Sequence, residues 1–439
     1  MRKMTQGSIA RHLIAYALPL ILGNIFQLTY NAVDSIVIGK FAGENALAAV
    51  SAANPVMTIV ILGVSGVSIG ASVLMSRFFG AGDTQKLRRE VATTLVFGAI
   101  ASLIVFLIGL PLSEPVLRLM NVPADVLPMA AGYLRVIFVG FLFTFQYNIL
   151  AAALRSVGDS KTPVIFLAVA SVMNAGLDVV FVAFGKWGVI GAGAATVIAE
   201  GVSALLCAAH IYRNIPLLHL SLRDLRIDKT LLSETVSYGA ITALQQACQP
   251  IGKAVIQSVI NAQGVSVMAA FNAVSRIDDF ACIPEQSISS GIMTCIAQNR
   301  GAGEHERVGQ TLRYGMRIEA VYGVLICLIV LAVKTPVMQL FAAQDSVSMI
   351  GMGVDYLTLM AFFYILPGLT NGIQGYFRGM GEMKTTLIAT FIQISVRALV
   401  VWLLVPRIGL NGAAWACAAG WCLMLVYTFF RYRKVKIKA

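Results

Sequence analysis

Apolar residues run unbroken along most of this chain instead of alternating with polar ones. Twelve such stretches stand out. In the first half they lie near 13–38, 46–76, 91–112, 127–153, 162–184 and 189–212. In the second half they lie near 231–260, 266–296, 311–333, 348–376, 385–405 and 409–430. Each is about as long as a helix needs to be to cross a bilayer, roughly 20 residues. None shows the period-two pattern of a membrane β-strand. The pattern predicts twelve helices joined by short polar turns.

Composition narrows the class. Of 439 residues, 58% are hydrophobic and 12% are charged, about half the charge of a soluble domain, which carries roughly 25%. The fold class is therefore an all-α integral membrane protein. The net charge is +12, and its placement explains it. Arg2, Lys3 and Arg11 precede the first helix. Arg77, Lys86, Arg88 and Arg89 follow the second, and Arg155 and Lys161 follow the fourth. Arg213, Arg223, Arg226 and Lys229 follow the sixth, Arg300, Arg307 and Arg313 the eighth, and Arg378 and Lys384 the tenth. The chain ends "RYRKVKIKA". The alternate loops carry only Lys40, Arg118, Lys186, Lys334 and Arg407. The positive-inside rule then puts both termini in the cytoplasm of a multi-pass plasma (inner) membrane protein and removes the case for a nucleic-acid partner. The basic start "MRKMTQGSIARH" leads into a stretch long enough to span, without a small-residue cleavage site, so it reads as a retained first helix. The seven cysteines sit in apolar runs with no CxxC and read as packing residues. The four histidines have no metal-ligand spacing.

The two halves resemble each other. "RFFGAGDTQKLRREV" (77–91) matches "QNRGAGEHERVGQTL" (298–312), and Pro115 matches Pro336. "GVIGAGAA" (188–195) matches "GLNGAAWA" (409–416), and "NILAAALRSVGDSKT" (148–162) matches "NGIQGYFRGMGEMKT" (371–385). The matches fall in order at offsets of 221 to 223 residues. An even number of helices per half gives parallel repeats, an arrangement found in secondary transporters with the substrate site between the halves. The expected organisation is an N-lobe at 1–212, a cytoplasmic linker at 213–229 and a C-lobe at 230–439, around a central cavity. Both halves of the path lie in one chain, so a monomer suffices. There is no P-loop pattern to suggest use of ATP.

Charge inside a membrane helix is costly and marks function by default. Asp34 and Asp178 each lie six residues before the end of an outward-running helix, roughly 9 Å below the boundary. Asn174 is one turn deeper on the face of Asp178, and Thr196 enters from the next helix at roughly 10 Å. Two carboxylates, an amide and a hydroxyl suit a hard monovalent cation or a proton shared between acids. The alternative is that each aspartate only caps or braces a kinked helix. The second half lacks these groups: Asn174 maps to Arg397 and Asp178 to Val401. Its own polar set is Gln249 and Lys253, then Arg276, Asp278, Asp279 and Glu285. Arg276 with Asp278 or Asp279 is expected to form a structural ion pair. Glu285 follows Pro284 and is expected to face the cavity. Glu200, one turn beyond Thr196, is expected to join the first site or pair with a base. Gln27, Tyr30 and Asn31 are weaker candidates for the cavity wall.

With these residues on the page, the chain resembles the multidrug and toxic compound extrusion (MATE) transporters, of bacterial type, over essentially its whole length. The resemblance rests on the two-repeat layout, on "PLILGNIFQLTYNAVDSIVIGKFAG", "GAGD", "LRSVGDSKTP", "NAGLD", "GVIGAGAAT" and "QNRGAGEHERV". It implies a Na⁺ or H⁺ site at Asp34, Asn174, Asp178 and Thr196, no other cofactor, and rocker-switch antiport exporting cationic or amphipathic small molecules. Relatives of the NorM type use acids of the seventh and tenth helices. Here those helices offer only Glu234 and Asp355, near their ends. Another member of the wider superfamily, a lipid-linked precursor flippase, is kept open by Lys253, Arg276 and Arg397. Twelve helices and an acidic first half speak against it. An enzyme would need a nucleophile, metal cluster or carboxylate pair at the interface. HExxH and Cys/His clusters do not occur.

Overall fold

The computed structural model describes residues 3–221, 224–341 and 347–438, without the side chains of Asn31, Val347 and 436–438. Arg2 and Arg223 of the basic segments lie outside these. The described residues are helical throughout, with no strand among them. The helices are α1 (Ile9–Val37), α2 (Glu44–Gly80), α3 (Thr84–Leu119), α4 (Leu127–Ser156), α5 (Lys161–Asp178) and α6 (Gly188–Asn214), then α7 (Lys229–Asn261), α8 (Val265–Gly301), α9 (His305–Phe341), α10 (Val347–Phe363), α11 (Ile365–Gly379), α12 (Met383–Ile408) and α13 (Asn411–Lys438).

Among the described residues, nine helices are long and apolar enough to cross a membrane, and ten if α10 and α11 count as one span bent by 43°. The expected stretch 348–376 is that bent pair. Pro367, in the first turn of α11, has no N–H for the carbonyl four residues back and crowds it, which breaks the run. The two other long helices, α7 and α8, fall short because they carry the Gln, Lys, Asp and Glu residues of the second half. By this criterion the count of twelve is not reached.

The repeat is visible in the backbone. Gly43, Gly82, Gly158 and Gly188 all have positive φ, and so do Gly264, Gly303, Gly381 and Gly409 at the matching turns. In the first GAGD turn the left-handed Gly82 (φ 72°) reverses the chain. Asp83 then caps α3, its carboxylate accepting from Lys86 N at 2.9 Å. That bond holds the Asp83 carboxyl below its ordinary range. Asp159 does the same for α5, accepting from Thr162 N at 3.0 Å and Thr162 Oγ1 at 2.7 Å.

The chain divides into two compact units: Met1–Lys3 with Pro19–Ala243, and Met4–Leu18 with Leu244–Ala439. In the first, α2, α3 and α6 pack around α4, and α5 packs on α6. Leu74, Met75, Leu87, Ile149 and Leu154 fill one core, and Ala49, Leu117 and Leu134 a second. In the second, α8, α9 and α11 pack together, α12 lies along α13, and α10 rests on α8 and α9. Its core holds Val274, Tyr356, Ala413 and Cys417. The two peripheral helices also correspond. Leu103, Ile104, Leu107 and Ile108 of α3, and Val324, Leu325, Leu328 and Ile329 of α9, form exposed apolar stripes suited to lipid.

The first helix of each repeat begins in the other unit. In the first unit, the start of α7 lies on α2 and α3. Thr235 Oγ1 donates to the buried Glu90 Oε1 at 2.6 Å, and Arg77 pairs with Glu234 at 3.3 Å. A Cβ on Gly66 would come 2.4 Å from Gly239 O, so α2 and α7 touch backbone to backbone. In the second unit, the start of α1 lies on α8 in the same way. Met4 N donates to Gln298 Oε1 at 2.9 Å, Tyr16 Oη bonds Thr294 Oγ1 at 3.0 Å, and Arg307 donates to Met4 O and Gly7 O.

Candidate cation-coupling site

Both aspartate-bearing helices of the first unit end in a π-helical turn. One runs over Ile38–Ala42, one turn after Asp34; the other runs over Val179–Phe184, directly after Asp178. The two turns pack against each other. A π turn widens the helix by one residue and re-aims the side chains beside it, a feature common at functional sites. Close approach of α1 and α5 is allowed by Gly23, whose absent Cβ would lie 2.9 Å from Val164 Cγ2.

Here Asp34, Asn174, Asp178 and Thr196 come together. Asp178 is fully buried and Asn174 nearly so. The Asn174 amide, oriented to satisfy both of its ends, donates to Asp178 Oδ2 at 3.3 Å and accepts from Thr196 N at 3.2 Å. Thr196 thus meets the site through its backbone; its hydroxyl donates to Ala192 O at 3.1 Å. The carboxyl groups of Asp34 and Asp178 lie within each other's electrostatic reach. Two carboxylates are both acceptors, so only a proton or a cation can bridge them. Asp34 Oδ1 and Asp178 Oδ1 are buried with no partner. The arrangement is acidic, dry and incompletely satisfied, which is what an exchangeable cation requires.

Around this centre lies a second ring. Glu200 accepts from Thr144 Oγ1 of α4 and pairs with no basic group there. Tyr30 and the buried Tyr133 sit within the field of Asp34, Asp178 and Glu200. Thr144 and Tyr133 escape sequence reasoning. Their only signal is a hydroxyl on the largely apolar α4.

The remaining candidates are dispersed. Gln27 is exposed in the first unit, and the side chain of Asn31 lies outside the described residues. In the second unit Gln249 is exposed, and Lys253 pairs with Asp279 at 3.0 Å. Asp278 accepts instead from Tyr364 Oη. The expected pairing of Arg276 with either aspartate is therefore replaced: α7 and Tyr364, at the bend between α10 and α11, supply the partners, which spacing along α8 alone did not reveal. Glu285 is fully buried and accepts from Asn371 Nδ2 at 3.4 Å.

A membrane-embedded, two-repeat helical protein with a buried acid pair has the architecture of a transporter and not of an enzyme. The comparisons agree. The chain belongs to the MatE family, whose sequence profile matches residues 19–180 and again 242–403, once in each repeat. It is 28% identical over 444 residues to the "Probable multidrug resistance protein YpnP" of Bacillus subtilis (strain 168), covering 99% of this chain and 98% of that protein. It is 27% identical over 350 residues to an "FAD transporter" of Shewanella oneidensis, covering 78% and 77%. Its fold matches a solved outward-facing multidrug resistance MATE family transporter of the MOP superfamily, with TM-score 0.91 at 23% identity over 99% of this chain and 98% of that one.

Proposed function

We propose that this protein is a secondary active multidrug exporter of the plasma membrane, driven by antiport of H⁺ or Na⁺ through Asp34, Asn174, Asp178 and Thr196. The observation that carries this is the meeting of Asp34 and Asp178, each with a buried oxygen that has no partner, with Asn174 bracing Asp178. A pair that shares one proton releases it when the acids separate or when a metal cation takes its place. That chemistry favours H⁺ as the coupling ion, with Na⁺ as competitor. An external cation entering the pair is exchanged for a drug leaving the cytoplasm, by rocker-switch alternation of the two lobes, 1–212 and 230–439, joined by the linker 213–229. Substrates are cationic or amphipathic small molecules. Tyr30 and Glu200 beside the pair supply an aromatic face and a negative charge for them. Gln27 and Gln249, and Lys253 in its ion pair, offer further polar contacts on their own units. The distribution of basic segments supports cytoplasmic termini, and both lobes in one chain support a monomer as the working unit. The names of the relatives support drug export, and they favour no flippase.

The test is efflux of ethidium from drug-sensitive cells carrying wild type or Asp34→Asn, with Na⁺ and H⁺ gradients imposed separately. Wild type is expected to extrude dye on the H⁺ gradient and the variant to stop while still present in the membrane. Extrusion by the variant at the wild-type rate would rule out the site. Failure of wild type on both gradients would rule out dye export.

A further inference from the structure

A second acid pair lies in the other unit. Glu285 of α8 and Glu319 of α9 are both fully buried. Glu285 Oε2 accepts from Asn371 Nδ2 of α11 at 3.4 Å, while its Oε1 has no partner. Neither oxygen of Glu319 has a partner. The same turn of α11 that carries Asn371 also faces Glu319, through two glycines. A Cβ on Gly368 would lie 3.4 Å from Glu319 Oε2, and one on Gly372 3.3 Å from Glu319 Cγ. The α11 segment 368–372 therefore leaves room for one carboxyl and donates to the other. The two glutamates lie within each other's field. The titratable groups facing them are Asp278 and Cys282 of α8 and Tyr322 of α9. Tyr322 Oη is engaged with Ala281 O at 2.8 Å. Among the described residues, neither glutamate forms an ion pair with an Arg or Lys side chain.

Two buried carboxyls without a base cannot both stay charged and dry, because an unpaired charge in a low-dielectric interior is far too costly. Three orphaned oxygens demand a positive charge or protons. Two carboxyls beside one amide are a small set of hard oxygen ligands, which suits a monovalent cation or a proton. We infer that Glu285 and Glu319, with Asn371, form a second exchangeable monovalent-cation site, for H⁺ or Na⁺, in the unit that lacks the aspartates. It is a different set of residues from the acids of α7 and α10, and it does not depend on the coupling role of Asp34 and Asp178.

The experiment uses the full-length purified protein carrying Asp34→Asn and Asp178→Asn, which silences the first site. One arm measures radioactive Na⁺ bound at equilibrium in alkaline buffer. The other, free of Na⁺, follows the infrared band of protonated carboxyls between acid and alkaline pH. A signal of about one ion per chain in either arm, abolished by Glu285→Gln and by Glu319→Gln, supports the site, and the arm that responds names the ion. Gly372→Ala keeps both acids but brings a Cβ to 3.3 Å from Glu319 Cγ; it is expected to weaken binding in a folded protein, so the test survives if a Gln variant does not fold. Absence of signal in both arms overturns the inference, as does a signal that survives either Gln substitution or is unchanged by Gly372→Ala. Because the first site is already removed, either result leaves the role of Asp34 to be decided by efflux.

Discussion

Replacing Asp178 by Asn separates coupling from folding. Asn has the same shape, so the Asn174 amide keeps an acceptor at the 3.3 Å position. What disappears is one carboxyl and its exchangeable ion. A hydrogen bond to a charged group contributes about 1.5–3 kcal/mol and a neutral one about 0.5–1.5 kcal/mol. Loss of the charge therefore weakens binding of the coupling ion by roughly 1.4 kcal/mol or more, about tenfold. Folding responds differently, because removing a buried charge also removes its desolvation cost. Unfolding free energy is expected to move by less than about 1 kcal/mol. The assay is dye uptake into inside-out proteoliposomes under an imposed H⁺ gradient, read beside the thermal melt of the same preparation. The expected outcome is transport down at least about tenfold with the melt nearly unchanged. Wild-type transport at every gradient would refute the coupling role. Lost transport together with a collapsed melt would make Asp178 a bracing residue at a helix end.

Other positions test the packing that holds the site. Gly140→Val puts a Cβ where 2.2 Å separates it from Val197 Cγ2 on α6; a loss of about 1–3 kcal/mol should appear as a lower melting temperature in detergent. Glu90→Leu strands the buried Thr235 hydroxyl that donates to it at 2.6 Å; a cost of about 1–3 kcal/mol should be partly recovered by adding Thr235→Val, and a strictly additive double mutant would contradict the contact. Asp83 has a folded pKa depressed by its bond to Lys86 N. Its contribution is full above the unfolded carboxylate value and fades as pH falls through the lower folded value. Asp83→Ala should then lower stability at neutral pH and flatten the acid limb of a melt-versus-pH curve. An unchanged limb would show that the cap does not matter.

Most helix positions were legible because long apolar runs have one solution in a bilayer, internally bonded helices. The repeat was legible through its turns, since GAG at 80–82 and 301–303 reports a backbone demand that only glycine meets cheaply. The four residues of the first site were reachable from depth along three helices, because 1.5 Å per residue converts sequence position to height. What depth does not give is azimuth. Thr144 and Tyr133 on α4, and Glu319 on α9, stand at unremarkable places in apolar runs and acquire meaning only from the helix they face. The same ignorance of azimuth explains why spacing along α8 offers Asp278 or Asp279 to Arg276 and does not point to Lys253 on α7. The bend before Ile365 was missed for a different reason: a proline in an apolar run does not say whether the helix bends, breaks or simply tolerates it.

The exchanged beginnings of α1 and α7 bear on how the chain is born. Met4 bonds to Gln298, a partner 294 residues later. At a synthesis rate of about 5–20 residues per second, Met4 waits roughly 15–60 s for that partner to be made. Until then the first fifteen or so residues of the nascent chain have a finished helix beside them and nowhere of their own to dock. The first repeat likewise stays unfinished until Thr235 and Gly239 have left the ribosome. Neither repeat is a self-sufficient folding unit, although each resembles one. A ribosome stalled at residue 212 would expose a bundle whose Glu90 still lacks Thr235, and quality control in the membrane would meet this protein as one late-closing structure instead of two early ones.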